Sequence, residues 1–200
     1  MPMFRRLGRA ATIAAATSVV LLGSAGAASA QSLTLHDARH DVWSGSSVDD
    51  PATFRPAPSQ KGGDVWWARV AYGKRSVVLT EKYADLARRG SGDLYALRLR
   101  TNRGLRRIVE VQAFPHGWAG SLAMYIPGGR SVTCDGAAEH LDYAGNVLRI
   151  SVPADCLHNP RWVQFTAASG HITRDNVWLV DNPHNTKASY DGWSRRVRKG

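Results

Sequence analysis

Cysteine, acidic side chains and long apolar runs are all scarce in this chain of 200 residues, and each scarcity narrows what the protein can be. Only the N-terminal segment carries an extended apolar run. No later stretch approaches the roughly 20 apolar residues that a membrane-spanning helix needs. No Gly-x-Ser-x-Gly elbow, phosphate-cradling glycine loop or Cys-x-x-Cys pair occurs, so no familiar motif asks for catalysis, and a hydrolase ranks behind non-catalytic readings. Helical periodicity is almost missing too: only a turn or two around Tyr83 to Arg88 could be helical.

What the N-terminus does contain reads as an address. Arg5, Arg6 and Arg9 form a basic start, ATIAAATSVVLLG is a short apolar run, and Ala28-Ser29-Ala30 is a small-x-small cleavage site. Residues 1–30 are therefore expected to be a signal peptide, and the mature protein to be secreted from about Gln31 onward. Arg5-Arg6 also permits twin-arginine export, although Phe4 stands where that signal usually has Ser or Thr. The signal leaves 23 basic residues against 16 acidic ones, a net charge of +7. Four of the basic residues, Arg195, Arg196, Arg198 and Lys199, crowd the C-terminus. Residues 186–200 are expected to be a basic tail outside the folded domain, either solubilising or attracted to an anionic envelope. The folded part is too weakly charged for a nucleic-acid stripe, so no specific nucleic-acid partner is expected.

In an oxidising compartment, Cys134 and Cys156 are expected to form a disulfide. Closing that loop stabilises the fold by roughly 3 kcal/mol on the chain-entropy estimate. The bridge pins the most legible part of the sequence, NVLRISVPADCLHNPRWVQFTA. Leu148, Ile150 and Val152 alternate with Arg149 and Ser151 as on a half-buried strand, and Pro153 then withholds a donor from the ladder. After the Asn159-Pro160 turn, Val163, Phe165 and Ala167 alternate in the same way with Trp162, Gln164 and Thr166.

Upstream, DVWWARVAY, SVVLTEKY, DLYALRLRT, RRIVEVQAF, SLAMYI, SVTC and AEHLDY are short runs separated by Gly, Asn and Pro turns, and NVWLVD closes the series. About nine antiparallel strands at hairpin spacing predict an all-β, jelly-roll-like sandwich over residues 31–185. SGSSVDDPATFRPAPSQKGG reads as a loop. Arg98, Arg100, Arg106 and Arg107 are expected on a solvated face, opposite Tyr95, Leu97 and Leu99.

Three groups of side chains could carry function. His36-Asp37-Ala38-Arg39-His40 nearly spells a zinc-protease motif, but Asp replaces the Glu base and the flanks are strand-like, so the two histidines would stand about 13 Å apart. His116, His140, His158, His171 and His184 show no grouping. Asp37, Asp41, Asp64 and Asp181 fall at strand ends near both termini, where carboxylates and loop carbonyls suit a structural calcium ion; ordinary turn aspartates are the alternative. Among the seven tryptophans, Trp118 in a loop and Trp162 on a polar face could stack on sugar rings, or could simply seal the sandwich ends.

DARHDVW, DVWWARVAY, YALRLRT and above all DYAGNVLRISVPADCLHNPRWVQF resemble secreted actinobacterial β-sandwich proteins that look like family 9 carbohydrate-binding modules and DOMON-type domains. The resemblance covers most of residues 33–183. It implies a jelly-roll sandwich, a structural calcium near the aspartate-rich start, and a binding role without catalysis. A pair of facing tryptophans, which such modules use as a sugar clamp, cannot be placed in the sequence. The expected protein is a monomer that binds carbohydrate or cell-wall polymer at the envelope; the alternative is a structural or protein-interaction domain with no small ligand.

Overall fold

A computed structural model of the chain describes residues 30–47, 50–184 and 192–200. The segment expected to be a signal, residues 1–30, lies outside the described residues apart from Ala30. The fold is the antiparallel β-sandwich that the alternation predicts. Thirteen strands are present among the described residues: β1 (Gln31–His36), β2 (Trp43–Gly45), β3 (Arg55–Pro56), β4 (Val65–Tyr72), β5 (Ser76–Tyr83), β6 (Gly92–Thr101), β7 (Arg106–Ala113), β8 (Ser121–Tyr125), β9 (Ala138–Asp142), β10 (Val147–Pro153), β11 (Trp162–Ile172), β12 (Trp178–Asp181) and β13 (Val197–Arg198). One sheet runs β1-β4-β5-β10-β9 and the other β3-β2-β12-β11-β6-β7-β8, with β13 added beside β11. Among the described residues no helix is long and apolar enough to cross a membrane.

Alternation sets which side chains meet between the sheets. Leu148, Ile150 and Val152 from β10 face Leu97, Leu99, Val163 and Phe165 from the other sheet, all without solvent exposure. Pro153 is the last residue of β10 in register with β5. The chain then turns through a short 3-10 segment, Asp155–Leu157, in which Cys156 is bonded to Cys134. His158 and Asn159 leave that segment with φ of 58° and 49°, the left-handed geometry that reverses the chain into β11.

The strands missing from the sequence-based tally are short. β2 and β3 lie in the Ser- and Pro-rich stretch read as a loop, where two or three residues of ladder leave no alternation to detect. The residues around Tyr83 to Arg88 form no helix.

The C-terminal stretch departs furthest from expectation. β12 pairs only with Ser169 to Ile172 of β11, which leaves the first half of β11 unpartnered on that side. The chain returns to fill that position. Ser194 exchanges bonds with Phe165, Val197 pairs with Val163, Arg198 pairs with Trp162, and Lys199 N–H donates to Arg161 O. Gly200 N–H then reaches Tyr72 O, on β4 of the opposite sheet. Residues 192–200 are thus a strap across the sandwich, not a free tail: Val197 is buried while the arginines beside it stay in water.

Candidate functional site

The acidic residues at the strand ends converge where the chain passes from one sheet to the other. Asp37 follows β1, Asp41 precedes β2, and Asp181 closes β12. One carboxylate oxygen from each lies within 4.8 Å of the other two. Asp181 also ties the sheets directly, because one of its oxygens accepts the Val65 N–H of β4 at 2.7 Å and the other accepts Asn182 N–H at 2.7 Å.

The remaining oxygens have no partner among the described residues. Asp37 Oδ1 accepts the Ala38 N–H at 2.9 Å, but Asp37 Oδ2 and both oxygens of Asp41 are buried with no hydrogen bond from those residues. Buried orphan acceptors are costly unless a cation or proton answers them. Burial first, then the charge of Asp41, pushes the Asp37 carboxyl up to about 8. Burial first, then Asp37, pushes Asp181 up to about 8, and burial also raises Asp41. An oxygen-only set with unanswered acceptors suits a hard divalent cation of calcium's type.

Asp64 stands beside this triad without joining it. Its oxygens accept the His40 N–H at 3.3 and 3.4 Å, with His40 held at a left-handed φ of 65°. Neither His36 nor His40 belongs to a converging group of three or more ligand atoms among the described residues. His36 is the last residue of β1, paired with Trp67, while His40 lies in the acidic loop against Asp64.

A fully buried carboxylate lies close by. Glu81 on β5 accepts the Tyr83 hydroxyl at 2.5 Å through Oε2, while Oε1 has no partner. Burial, opposed only in part by that hydrogen bond, pushes its carboxyl up to about 7 from an ordinary 4.5. A raised acid favours the folded state when protonated, so this stabilisation is complete below 4.5 and is lost as pH rises through 7, on the order of 3 kcal/mol in all. His184 works in the opposite sense, since burial lowers its imidazole to about 4 and stability falls as pH drops below 6.5. Glu81→Gln isolates the first effect. In chelator-treated protein, the melting temperature of the variant relative to wild type should climb from pH 4.5 to 7 and then level off. A difference that stays flat would show that Glu81 does not titrate in this range.

The two sequence-selected tryptophans do not meet. Trp118 follows β7 beyond Ala113, which pairs with Asp93, whereas Trp162 lies by Thr101 at the other end of β6, about 27 Å away along the strand. Trp118 packs against the core and its carbonyl accepts the Tyr143 hydroxyl at 2.7 Å, so it seals one end of the sandwich. Trp162 has a different setting. Arg196 from the strap lies over its ring at 4.5 Å, and two residues along on the same face Gln164 bridges Arg100 Nε and the Ser194 carbonyl. Arg100 in turn lies over Trp193 at 4.6 Å.

Two half-exposed indoles, each with a guanidinium over one ring face, therefore lie near Gln164. Trp193 and Arg196 were not legible as part of this patch, because only the return of the strap brings them to β11. Arg98, Arg106, Arg107 and Trp193 line a neighbouring hollow of about 190 Å³. Of the four arginines expected on a solvated face only Arg106 is exposed; Arg98, Arg100 and Arg107 are half-buried, and Arg107 Nε is out of contact with water. No protein-family model matches the sequence, and no curated protein is significantly similar to it.

Proposed function

We propose that the protein is a secreted, non-catalytic binding domain of the cell envelope that holds carbohydrate or cell-wall polymer on the Trp162–Trp193 patch. The observation that carries this reading is the pair of indoles around Gln164, each held by an arginine at 4.5 or 4.6 Å. Rings fixed in this way lose little freedom when a pyranose stacks on them, and Gln164 with the arginines offers hydrogen bonds to fix its orientation. The same reading gives Asp37, Asp41 and Asp181 a structural calcium ion, supported by three buried carboxylate oxygens without partners. The ion would tie β1 to β12 and take no part in ligand chemistry.

The test is retention of residues 31–200 on insoluble peptidoglycan, chitin and cellulose at low and high salt. Retention at high salt on one polymer is expected, with roughly a five- to hundredfold loss in Trp193→Ala and in Trp162→Ala, since aromatic stacking contacts are worth about 1–3 kcal/mol. Arg69→Ala, on the other sheet, should bind as wild type does. No retention on any polymer, or retention that disappears at high salt, would move the reading to a protein-interaction domain that docks by charge.

A further inference from the structure

Lys61 and Gly62, just ahead of Asp64 in the chain, line a second cavity, of about 320 Å³. His171, in β11, forms its floor. Asp93, the residue opposite it on β6, holds Nδ1 at 2.7 Å and so fixes the orientation of a ring that is almost wholly buried. Nε2 has no hydrogen-bond partner and belongs to a residue lining the cavity.

Two glycines keep that ring accessible. A Cβ at Gly62 would come within 2.8 Å of His171 Cδ2, and a Cβ at Gly90 within 3.1 Å of Nε2 and 2.2 Å of the Ile172 carbonyl. Gly90 also needs its φ of 77°, which L side chains rarely adopt.

Around the opening stand Lys61, Arg89 and Arg174, and no acidic residue lines the cavity. Arg89 is paired with Asp85, while the side chains of Lys61 and Arg174 have no ion pair or hydrogen bond among the described residues. With Nδ1 held by Asp93, Nε2 is left to meet a phosphoryl oxygen, or a proton that the phosphate group itself carries. Converging donors with no acceptor among the charged groups define a site for an anion. The volume exceeds what a bare tetrahedral oxyanion fills and leaves room for an attached polyol or sugar.

The geometry points to a phosphoryl-binding pocket, in which His171, Lys61 and Arg174 hold the phosphate group of a phosphate ester. This site is separate from the Trp162–Trp193 patch and does not rest on the polysaccharide reading. Asp93 acts as a positioning residue, through the imidazole.

Titration of residues 31–200 with inorganic phosphate, glycerol 3-phosphate and acetate in a phosphate-free buffer of fixed ionic strength, followed through the His171 ring resonances, tests it. Both phosphates should move those resonances saturably, the ester at least as tightly as the free ion, and acetate should bind at least tenfold more weakly. Lys61→Ala and Arg174→Ala, both at exposed positions that leave the fold intact, should each weaken phosphate binding by about tenfold. Binding of the ester without the free ion would place the phosphate on a larger molecule, whereas equal binding would identify free phosphate as sufficient. Acetate binding as tightly as phosphate, no saturable shift with either phosphate, or unchanged affinity in both variants would overturn the assignment.

Discussion

Val197→Asp is expected to lower the melting temperature by roughly 6 °C or more, and Arg198→Asp next to it to leave stability within about 0.5 kcal/mol. Val197 is 2% exposed and pairs with Val163, whose side chain is in the core. An aspartate there has two outcomes. Either the carboxylate is buried with no partner, or the strap detaches and uncovers Phe165 and Val163 while Phe165 N–H loses the Ser194 hydroxyl at 3.0 Å. Each costs about 3 kcal/mol or more. A basic tail in water would respond to neither substitution, so thermal melts of the two variants beside wild type separate the alternatives cleanly. A Val197→Asp protein that melts with wild type would mean that the last nine residues do not belong to the sheet.

If Asp37, Asp41 and Asp181 hold calcium as proposed, excess calcium should raise the melting temperature of chelator-treated protein by about 5–10 °C. A ligand at a hundredfold excess over its dissociation constant, bound only to the folded chain, adds about 2.7 kcal/mol, and a domain of this size gains about 2–4 °C per kcal/mol. The direction follows from the carboxylates. Without an ion, burial raises Asp37 and Asp181 from 3.8 to about 8, so their contribution is fully present below 3.8 and the metal-free protein weakens as pH rises from there through 8. A bound dication must displace those protons, which makes its effect grow with pH over the same range. Asp41→Ala discriminates further: it removes one like charge and two orphan oxygens, so the variant should melt higher than wild type in chelator yet gain nothing from calcium. A wild-type protein whose melting temperature is indifferent to calcium between pH 6 and 8.5 would dismiss the metal.

The sequence made most of the sandwich legible because long strands write their own signature. In β10 and β11 every second residue from Leu148 to Ala167 is apolar where the structure buries it, and Pro153 and the Asn159-Pro160 turn mark where pairing stops. β13 has no such signature. Two residues among arginines show no period, and Val197 is apolar for a reason that lies at Val163, far away in sequence. The aspartates were visible from their positions at strand ends, but that Asp64 turns to His40 while Asp41 is left unanswered depends on the loop's path. The tryptophans misled for a related reason: composition counts rings, whereas register decides which rings share an end. Only the pairing of β6 with β11 separates Trp118 from Trp162 and brings Asp93 to His171.

β4 begins beside Asp64, where Val65 N–H reaches across to Asp181, and ends at Tyr72, where the carbonyl accepts Gly200 N–H. One strand therefore carries a fastening to the opposite sheet at each of its ends. A sandwich fastened at only one end can hinge open like a book and close on a guest between its leaves. Fastened at both, it behaves as a stiff plate, and whatever it recognises must meet a surface already in its final shape. Recognition by such a plate is governed by the fit of the partner to that surface, with little of the binding energy spent on rearranging the protein.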